Sequence, residues 1–406
     1  MSIPRIRQYK VGVWLGAIAA LLCACTVSTV ADSPDSLAGA ERPECVQRFD
    51  PEVDYFPDKV KLEEAQGFQV TYHNHYKVVS VQRPWQDATT QFQYVLVQCG
   101  TPVPPGFADA QVVTVPVRSV VALSTTHLVP LEQLGVLDTL VGVSDFQTIN
   151  TPAVIVKIAA QQLTEVSRNA ALNMERILAL DPELVTTFGT GNPERDAHPK
   201  LMEAGLPVAI NAEYMESTPL GRAEWLKFMA LFFNQEARAT NQFNGIAQQY
   251  RDLAQRVESV THRPTVFVGF ARNGTWHVPG GDSYVAQFLA DAGADYLWSD
   301  DPSAGSRPLS FEQVYARAAQ ATYWLNGDQR WLTQADVVAA DPRYGDFLAW
   351  QLGNLYSPIA RVNEHGGNDY WESGTANPHW VLADLVKIFH PEQLPNHDWV
   401  YYQKLP

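Results

Sequence analysis

A helix followed by a buried strand occurs twice in the chain, and this repeat is the feature that most limits the possible fold. The first copy is NMERILALDPELV at 173–185, and the second is SFEQVYARA with ATYWL at 310–325. Each copy begins with a good helix N-cap, Asn173 or Ser310, followed two residues later by a glutamate. Ser310 with Gln313 also has the pattern of a capping box. We therefore expect two similar lobes, each presenting one glutamate at an exposed helix start.

Strands and helices alternate from residue 119 onwards, which favours parallel sheets. Short apolar runs predict buried strands, and 222–258 has the few glycines and prolines of a helical region. The predicted fold class is α/β: two α/β lobes with parallel sheets joined by one long helix, plus an N-terminal β-rich extension. The predicted boundaries are 119–235 for the first lobe, 236–262 for the interlobe helix and 263–406 for the second lobe.

Residues 45–118 form the predicted β-rich extension. Their alternating or β-branched runs are typical of strands, and a proline-rich break follows at 102–105. Cys45 and Cys99 are the cysteines that remain after the N-terminal pair. In an oxidising compartment they most simply form a disulfide, and two free thiols are the alternative.

The N-terminus has the anatomy of an export signal. Arg5, Arg7 and Lys10 precede an apolar run at 11–22 that is short for a membrane span. The following LCAC matches the lipobox of bacterial lipoproteins, and Cys25 fits lipidation better than Cys23 because alanine precedes it. We expect a signal peptide at 1–24, a lipidated tether at 25–44 and a periplasmic protein anchored to a membrane by its N-terminal lipid. An ordinary secretory signal is the alternative.

The formal charge of the chain is −15. Removal of residues 1–24 takes away three basic residues and no acid, so the charge becomes −15 − 3 = −18. Nucleic acid is therefore excluded as an expected partner, because phosphate neutralisation requires clustered lysine and arginine.

Four motifs within residues 118–392 together resemble those of class III periplasmic binding proteins. They are NMERILALDPELV, WHVPGGDSYVAQFLADAGADYLW, LSFEQVYARAAQATYWL and NDYWESGTANPHWVLADLVKIFHPE. The resemblance implies a bilobed protein that carries cobalamin, haem or ferric siderophores to an ABC importer. It also implies that Glu175 and Glu312 dock on arginines of the importer's membrane subunits.

The ligand cleft is expected at loops that follow the carboxyl ends of the strands. Aromatic side chains there offer apolar surface to a macrocycle or catechol, and arginine pairs with carboxylates or anionic chelates. The candidate ligand-binding residues are Thr126, His127, Tyr214, Arg272, Trp276, Arg307, Asn326, Tyr370 and Trp371.

The resulting hypothesis is a solute-binding lipoprotein that delivers an iron-siderophore or related iron chelate. The alternatives are a cobalamin- or haem-binding protein of the same fold, and a non-transport lipoprotein that uses the fold for assembly or adhesion. We expect no enzyme activity, because neither GxSxG nor HExxH occurs. We also expect no resident cofactor and no direct metal site, since the sequence has no histidine-rich loop.

Overall fold

The computed structural model describes residues 45–108, 110–168 and 171–406, and within them both copies of the repeat fold as a helix followed by a strand. In the first copy the Asn173 side chain accepts a hydrogen bond from the Arg176 backbone amide at 3.0 Å. In the second copy Ser310 and Gln313 form the predicted capping box. The signal peptide, Cys25 and the tether lie outside the described residues.

The extension contains a four-stranded sheet in the order β1-β2-β3-β4. β1 to β3 are antiparallel neighbours, whereas β4 runs parallel to β3 and was not predicted. A disulfide joins Cys45 to Cys99, directly after β3. The strands are β1 (Phe68–Tyr72), β2 (Tyr76–Val81), β3 (Phe92–Gln98) and β4 (Gln111–Val115).

The first lobe has a five-stranded parallel sheet in the order β11-β10-β5-β6-β7, with β8 and β9 as a small separate hairpin. Its strands are β5 (Val120–Ala122), β6 (Leu140–Val143), β7 (Thr164–Glu165), β8 (Ser167–Arg168), β9 (Ala171–Leu172), β10 (Leu184–Thr187) and β11 (Val208–Ile210). Its helices are α1 (Leu128–Gln133), α2 (Pro152–Ala159), α3 (Met174–Leu180), α4 (His198–Glu203) and α5 (Pro219–Leu231).

The extension covers the β11 edge of this sheet. The Ile210 amide donates to the Tyr94 hydroxyl at 2.9 Å, and the Gln111 side chain bonds both the amide and the carbonyl of Val208. Apolar residues of the extension and of the first lobe also form one continuous core. An exposed edge strand can pair with a strand of another molecule, and the contacts with the extension prevent such pairing at β11. The extension is therefore an integral part of the first lobe.

The long helix α6 (Glu236–Glu258) connects the lobes. The helix ends at Glu258, four residues before the predicted end at 262. Pro264 follows shortly afterwards, and a proline disfavours helical backbone in the residue that precedes it. No helix in the described part of the chain is long and apolar enough to span a membrane.

The second lobe has a five-stranded sheet in the order β15-β12-β17-β18-β19, parallel except for β19, and a separate antiparallel sheet β13-β14-β16. Its strands are β12 (Thr265–Val268), β13 (Ala271–Arg272), β14 (Thr275–Pro279), β15 (Asp295–Tyr296), β16 (Ser306–Leu309), β17 (Tyr323–Leu325), β18 (Leu355–Ser357) and β19 (Gln403–Lys404). Its helices are α7 (Tyr284–Asp291), α8 (Phe311–Ala318), α9 (Gln334–Ala340), α10 (Leu348–Gln351), α11 (Asp369–Ala376) and α12 (Pro378–Phe389).

Candidate functional site

A depression of about 790 Å³ lies at the carboxyl edge of the first-lobe sheet. Leu123, Ser144 and Phe188 line it, and they directly follow β5, β6 and β10. Phe188 is an exposed large apolar side chain. Open parallel sheets bind ligands at this edge, so the depression is the first-lobe wall of the candidate site.

The loop at 188–198, which we call the rim loop, contributes both an acidic and a basic exposed side chain to this wall. The buried Asp196 carboxylate closes the loop by accepting hydrogen bonds from the Thr190 amide at 2.8 Å and the Gly191 amide at 3.0 Å. Arg195 and, in α4, Lys200 have exposed side chains in the depression. Neither forms an ion pair with another described residue, so both charges are available to an anionic ligand.

The second lobe presents the loops that follow β12 and β17. Asp328 holds Arg330 in an ion pair at 2.5 Å, and the hydrogen bond from Arg330 is the main reason that the Asp328 pKa is lowered. Arg272 is exposed, lies 5.8 Å from the centroid of the Phe270 ring, and has no ion pair within the described ranges. It is therefore the available cation at this edge.

Side chains at the ends of the strands bring the two lobes together. The Asn363 amide group of the second lobe donates to the Gln147 carbonyl of the first lobe at 3.0 Å. Gln147 follows β6, and Asn363 lies in the segment that follows β18. Segments after the carboxyl ends of strands in the two sheets therefore meet at this contact.

A second crevice, of about 830 Å³, lies beside the interlobe helix. Asn241, Gln242 and Gln249 of α6 line it together with Trp380, and the arginine in its wall, Arg361, pairs with Asp369 at 2.9 Å. Helices rather than strand ends form most of its wall. We therefore take the depression at the strand ends, not this crevice, as the candidate ligand site.

Four of the predicted ligand-binding residues have buried side chains. His127 bonds the Thr186 hydroxyl at 3.0 Å, and burial lowers its pKa to about 4. The Trp276 indole donates to the Val268 carbonyl at 2.9 Å within an aromatic core. Asn326 stabilises the turn after β17 through Asp328, and Tyr370 packs in the second-lobe core.

The remaining predicted residues occupy different places. Thr126 is half-buried and bonds Ser124 at 2.9 Å, and Tyr214 is half-buried beneath the rim loop. Arg307 pairs with Asp301 at 2.6 Å. Trp371 is exposed in a small groove between α5, α7 and α11. Of the nine predicted residues, Arg272 is the one that the strand-end geometry retains as a candidate cation.

Glu175 and Glu312 both have exposed side chains at helix starts. Glu312 also contacts Arg343 at 3.2 Å, and a hydrogen bond from its own backbone amide is the main cause of its lowered pKa. The pair thus has the exposure that docking requires.

Sequence reasoning missed Phe188, Arg195 and Lys200. The available signal was their position, because Phe188 ends the apolar run at 184–188, and Arg195 and Lys200 follow the glycine-containing turn after it. Among the described residues, no three His, Cys, Asp or Glu side chains converge as a metal site.

Known proteins share both sequence and fold with this chain. A family model described as periplasmic binding protein matches residues 120–358, more than half of the 406 residues. An uncharacterized lipoprotein of Methanocaldococcus jannaschii is 26% identical over 326 residues, covering 75% of this chain and 74% of that protein. A vitamin B12-binding protein of Vibrio campbellii is 22% identical over 279 residues, covering 63% of this chain and 89% of that protein.

The structure of a periplasmic haem-binding protein from Pseudomonas aeruginosa has a TM-score of 0.51 and 21% identity, covering 68% of this chain and 93% of that chain. This likeness concerns the fold. The family match starts at residue 120, so the extension lies outside it.

Proposed function

This chain belongs to the periplasmic binding protein family, and from that premise we propose that it captures an anionic iron chelate between its lobes and delivers it to an ABC importer. The observation that carries the proposal is the set of exposed cations at the strand ends. Arg195 and Lys200 come from the first lobe, and Arg272 comes from the second. Arginine binds carboxylate and other anionic oxygen groups through charge-assisted hydrogen bonds.

The apolar surface of the site fits a chelate with flat or aromatic parts. Phe188 lies beside the cations of the first lobe, and Phe270 lies beside Arg272. Ferric siderophores and haem combine anionic oxygen groups with such surfaces. A corrinoid is the second candidate ligand, favoured by the sequence similarity to a vitamin B12-binding protein.

The test is binding of defined probes to the purified protein. We would titrate it with a ferric tris-catecholate, haemin and cyanocobalamin, and record fluorescence quenching and the melting temperature, which a tight ligand raises. Mass spectrometry and absorbance would identify any ligand that co-purifies. Saturable binding of the ferric tris-catecholate or of haemin supports the proposal, whereas no binding of any probe and no co-purifying ligand would favour the non-transport alternative.

Charge variants separate the two ligand classes. Arg195→Ala and Arg272→Ala should each weaken binding of an anionic iron chelate at least about tenfold, because a hydrogen bond to a charged group contributes about 1.5–3 kcal/mol. Arg256→Ala, an exposed arginine of α6, is the matched control. Binding of cyanocobalamin that survives both cleft variants would instead identify a corrinoid carrier.

Delivery is proposed to require Glu175 and Glu312. The double variant Glu175→Arg with Glu312→Arg should abolish uptake through the importer, because like charges would then face each other at the interface. Its ligand affinity should be unchanged. Glu203→Arg with Asp295→Arg, one exposed acid in each lobe, is the control. Uptake that persists in the first variant would refute the docking role.

The lipid anchor is proposed at Cys25. Cys25→Ser should release the protein from the membrane fraction into the soluble periplasm, since lipid attachment supplies the membrane affinity. A variant that stays in the membrane fraction after a carbonate wash would contradict the anchor.

A further inference from the structure

A loop of the extension reaches the rim of the candidate site. This loop, at 82–91, connects β2 to β3, and its Trp85 lies directly on the rim loop. A Cβ atom added at Gly189 or Gly191 would lie 2.5 or 2.7 Å from atoms of the Trp85 indole. The two glycines thus leave the space that the indole fills, and Gly191 also has a φ of +77° that disfavours other residues.

Further contacts fix the indole against the start of α4. The Trp85 and His198 rings stack with centroids 5.4 Å apart and planes 29° apart. Phe92, the first residue of β3, packs edge-on against Trp85 with centroids 6.0 Å apart. His198 is itself buried and lies between the two cations, three residues after Arg195 and two before Lys200. Trp85 therefore contacts the segment that carries both charges.

The Tyr214 hydroxyl connects the same two loops. It lies 2.6 Å from the Gly189 carbonyl of the rim loop and 3.4 Å from the Pro84 carbonyl of the extension loop. The extension loop in turn begins and ends at β2 and β3, whose terminal residues Val81 and Phe92 pair in the sheet. The rim loop is thus supported by a sheet that lies outside the family match.

We propose that the extension is part of the ligand-binding machinery, because Trp85 holds the rim loop in the position at which Arg195 and Lys200 face the ligand. Trp85 is a positioning residue in this inference and acts through the rim loop. The inference rests on the proposed function for its ligand, while the support of the loop itself is a property of the ligand-free protein.

The first arm of the test measures hydrogen–deuterium exchange of the full, ligand-free protein. Trp85→Ala should raise amide exchange in 188–198 at least about tenfold, because local opening follows the loss of buried contacts. Trp85→Phe keeps an aromatic ring and should restore much of the protection. Trp399→Ala, a half-exposed tryptophan of the second lobe that packs on Tyr356, is the control and should leave the rim loop unchanged. Unchanged exchange in Trp85→Ala would overturn the inference.

The second arm is a double-mutant cycle with whichever of haemin, cyanocobalamin or the ferric tris-catecholate binds the wild-type protein. Trp85→Ala should weaken binding about tenfold in the wild-type background but less than about twofold in the Arg195→Ala, Lys200→Ala background, because residues that act through one another are not additive. Equal losses in both backgrounds would overturn the positioning role. If the wild-type protein binds none of the probes, the proposed function fails, and the exchange arm still decides whether Trp85 holds the rim loop.

Discussion

The two lobes use the same helix–strand pattern but complete their cores in different ways. The second lobe encloses an aromatic cluster in which Phe267 stacks with Trp324 and with Phe347, at centroid distances of 5.0 and 4.9 Å. The first lobe instead shares its core with the extension and contains buried charges at their junction. The second lobe thus encloses its aromatic cluster within itself, whereas the first lobe shares its core with the extension and adds buried lysine–carboxylate pairs at that junction.

Buried carboxylates hold the extension on the first lobe. Glu224 is fully buried, accepts hydrogen bonds from the amides of Glu64 and Ala65 at 2.7 Å each, and pairs with Lys227 at 2.6 Å. Lys77 of β2 is likewise fully buried and pairs with Glu236 at the start of α6 at 2.7 Å. A buried ion pair contributes little net stability when intact but is costly to break, because the remaining charge has no partner. Such contacts fix one arrangement of the extension.

The largest expected effect comes from breaking this charged junction. Glu224→Gln should lower the free energy of unfolding by about 3–5 kcal/mol, because Lys227 would remain buried without its counter-charge. Urea unfolding followed by fluorescence measures the loss, and Glu258→Gln at the exposed end of α6 is the control. A decrease in the free energy of unfolding below about 1 kcal/mol, as for a surface ion pair, would show that this junction does not set the first lobe apart from the second.

The disulfide tests whether the extension unfolds with the first lobe. Cys45 and Cys99 are separated by 54 residues, and closing a loop of this length typically contributes about 2–4 kcal/mol. The double substitution of both cysteines by serine should lower the stability of the extension and the first lobe together, in one transition. A separate early transition limited to 45–118 would show that the extension is an independent domain.

Acid sensitivity tests the buried histidine of the first lobe. Folding lowers the His127 pKa from an unperturbed value near 6.5 to about 4. Between these two pH values the histidine is protonated in the unfolded chain but neutral in the folded lobe, so acid favours unfolding. Stability should therefore fall as pH falls from 6.5 towards 4. Between pH 7 and 4.5, the free energy of unfolding should fall by about 2–3 kcal/mol less in His127→Gln than in the wild-type protein. Parallel pH profiles of the two proteins would contradict a buried neutral His127.

The smallest effect is expected in the aromatic cluster. Phe267→Leu keeps an apolar side chain of similar volume and should cost about 1 kcal/mol, from lost aromatic contacts and imperfect packing. Thermal unfolding measures it, with hydrogen exchange assigning the change to the second lobe. A loss as large as that of Glu224→Gln would show that both lobes depend equally on precise contacts.

Local signals account for the parts of the fold that sequence predicted. The caps at Asn173 and Ser310 act within one helical turn, so the two modules were visible in the sequence. β4 was missed because it pairs in parallel with β3 across an intervening loop. A parallel strand pair leaves no hairpin turn signal between its members.

The site was less predictable because exposure at strand ends depends on distant packing. His127 follows β5 as expected, whereas Trp276 lies within β14, and neighbouring elements bury both side chains. Arg195 faces the depression because Asp196 folds the rim loop and Trp85 supports it, and neither contact has a sequence pattern. Sequence located the edge of the sheet, whereas the structure was needed to choose the side chains.

Ligand is proposed to bind between the strand ends of both lobes. The most direct measurement is hydrogen–deuterium exchange of the protein with and without the probe that binds. We predict new protection in the rim loop at 188–198 and in the second-lobe loops at 269–272 and 326–330, with none in α6 at 241–249. Protection confined to 241–249 and 377–380, which line the crevice beside the interlobe helix, would instead place the ligand in that crevice and refute binding at the strand ends.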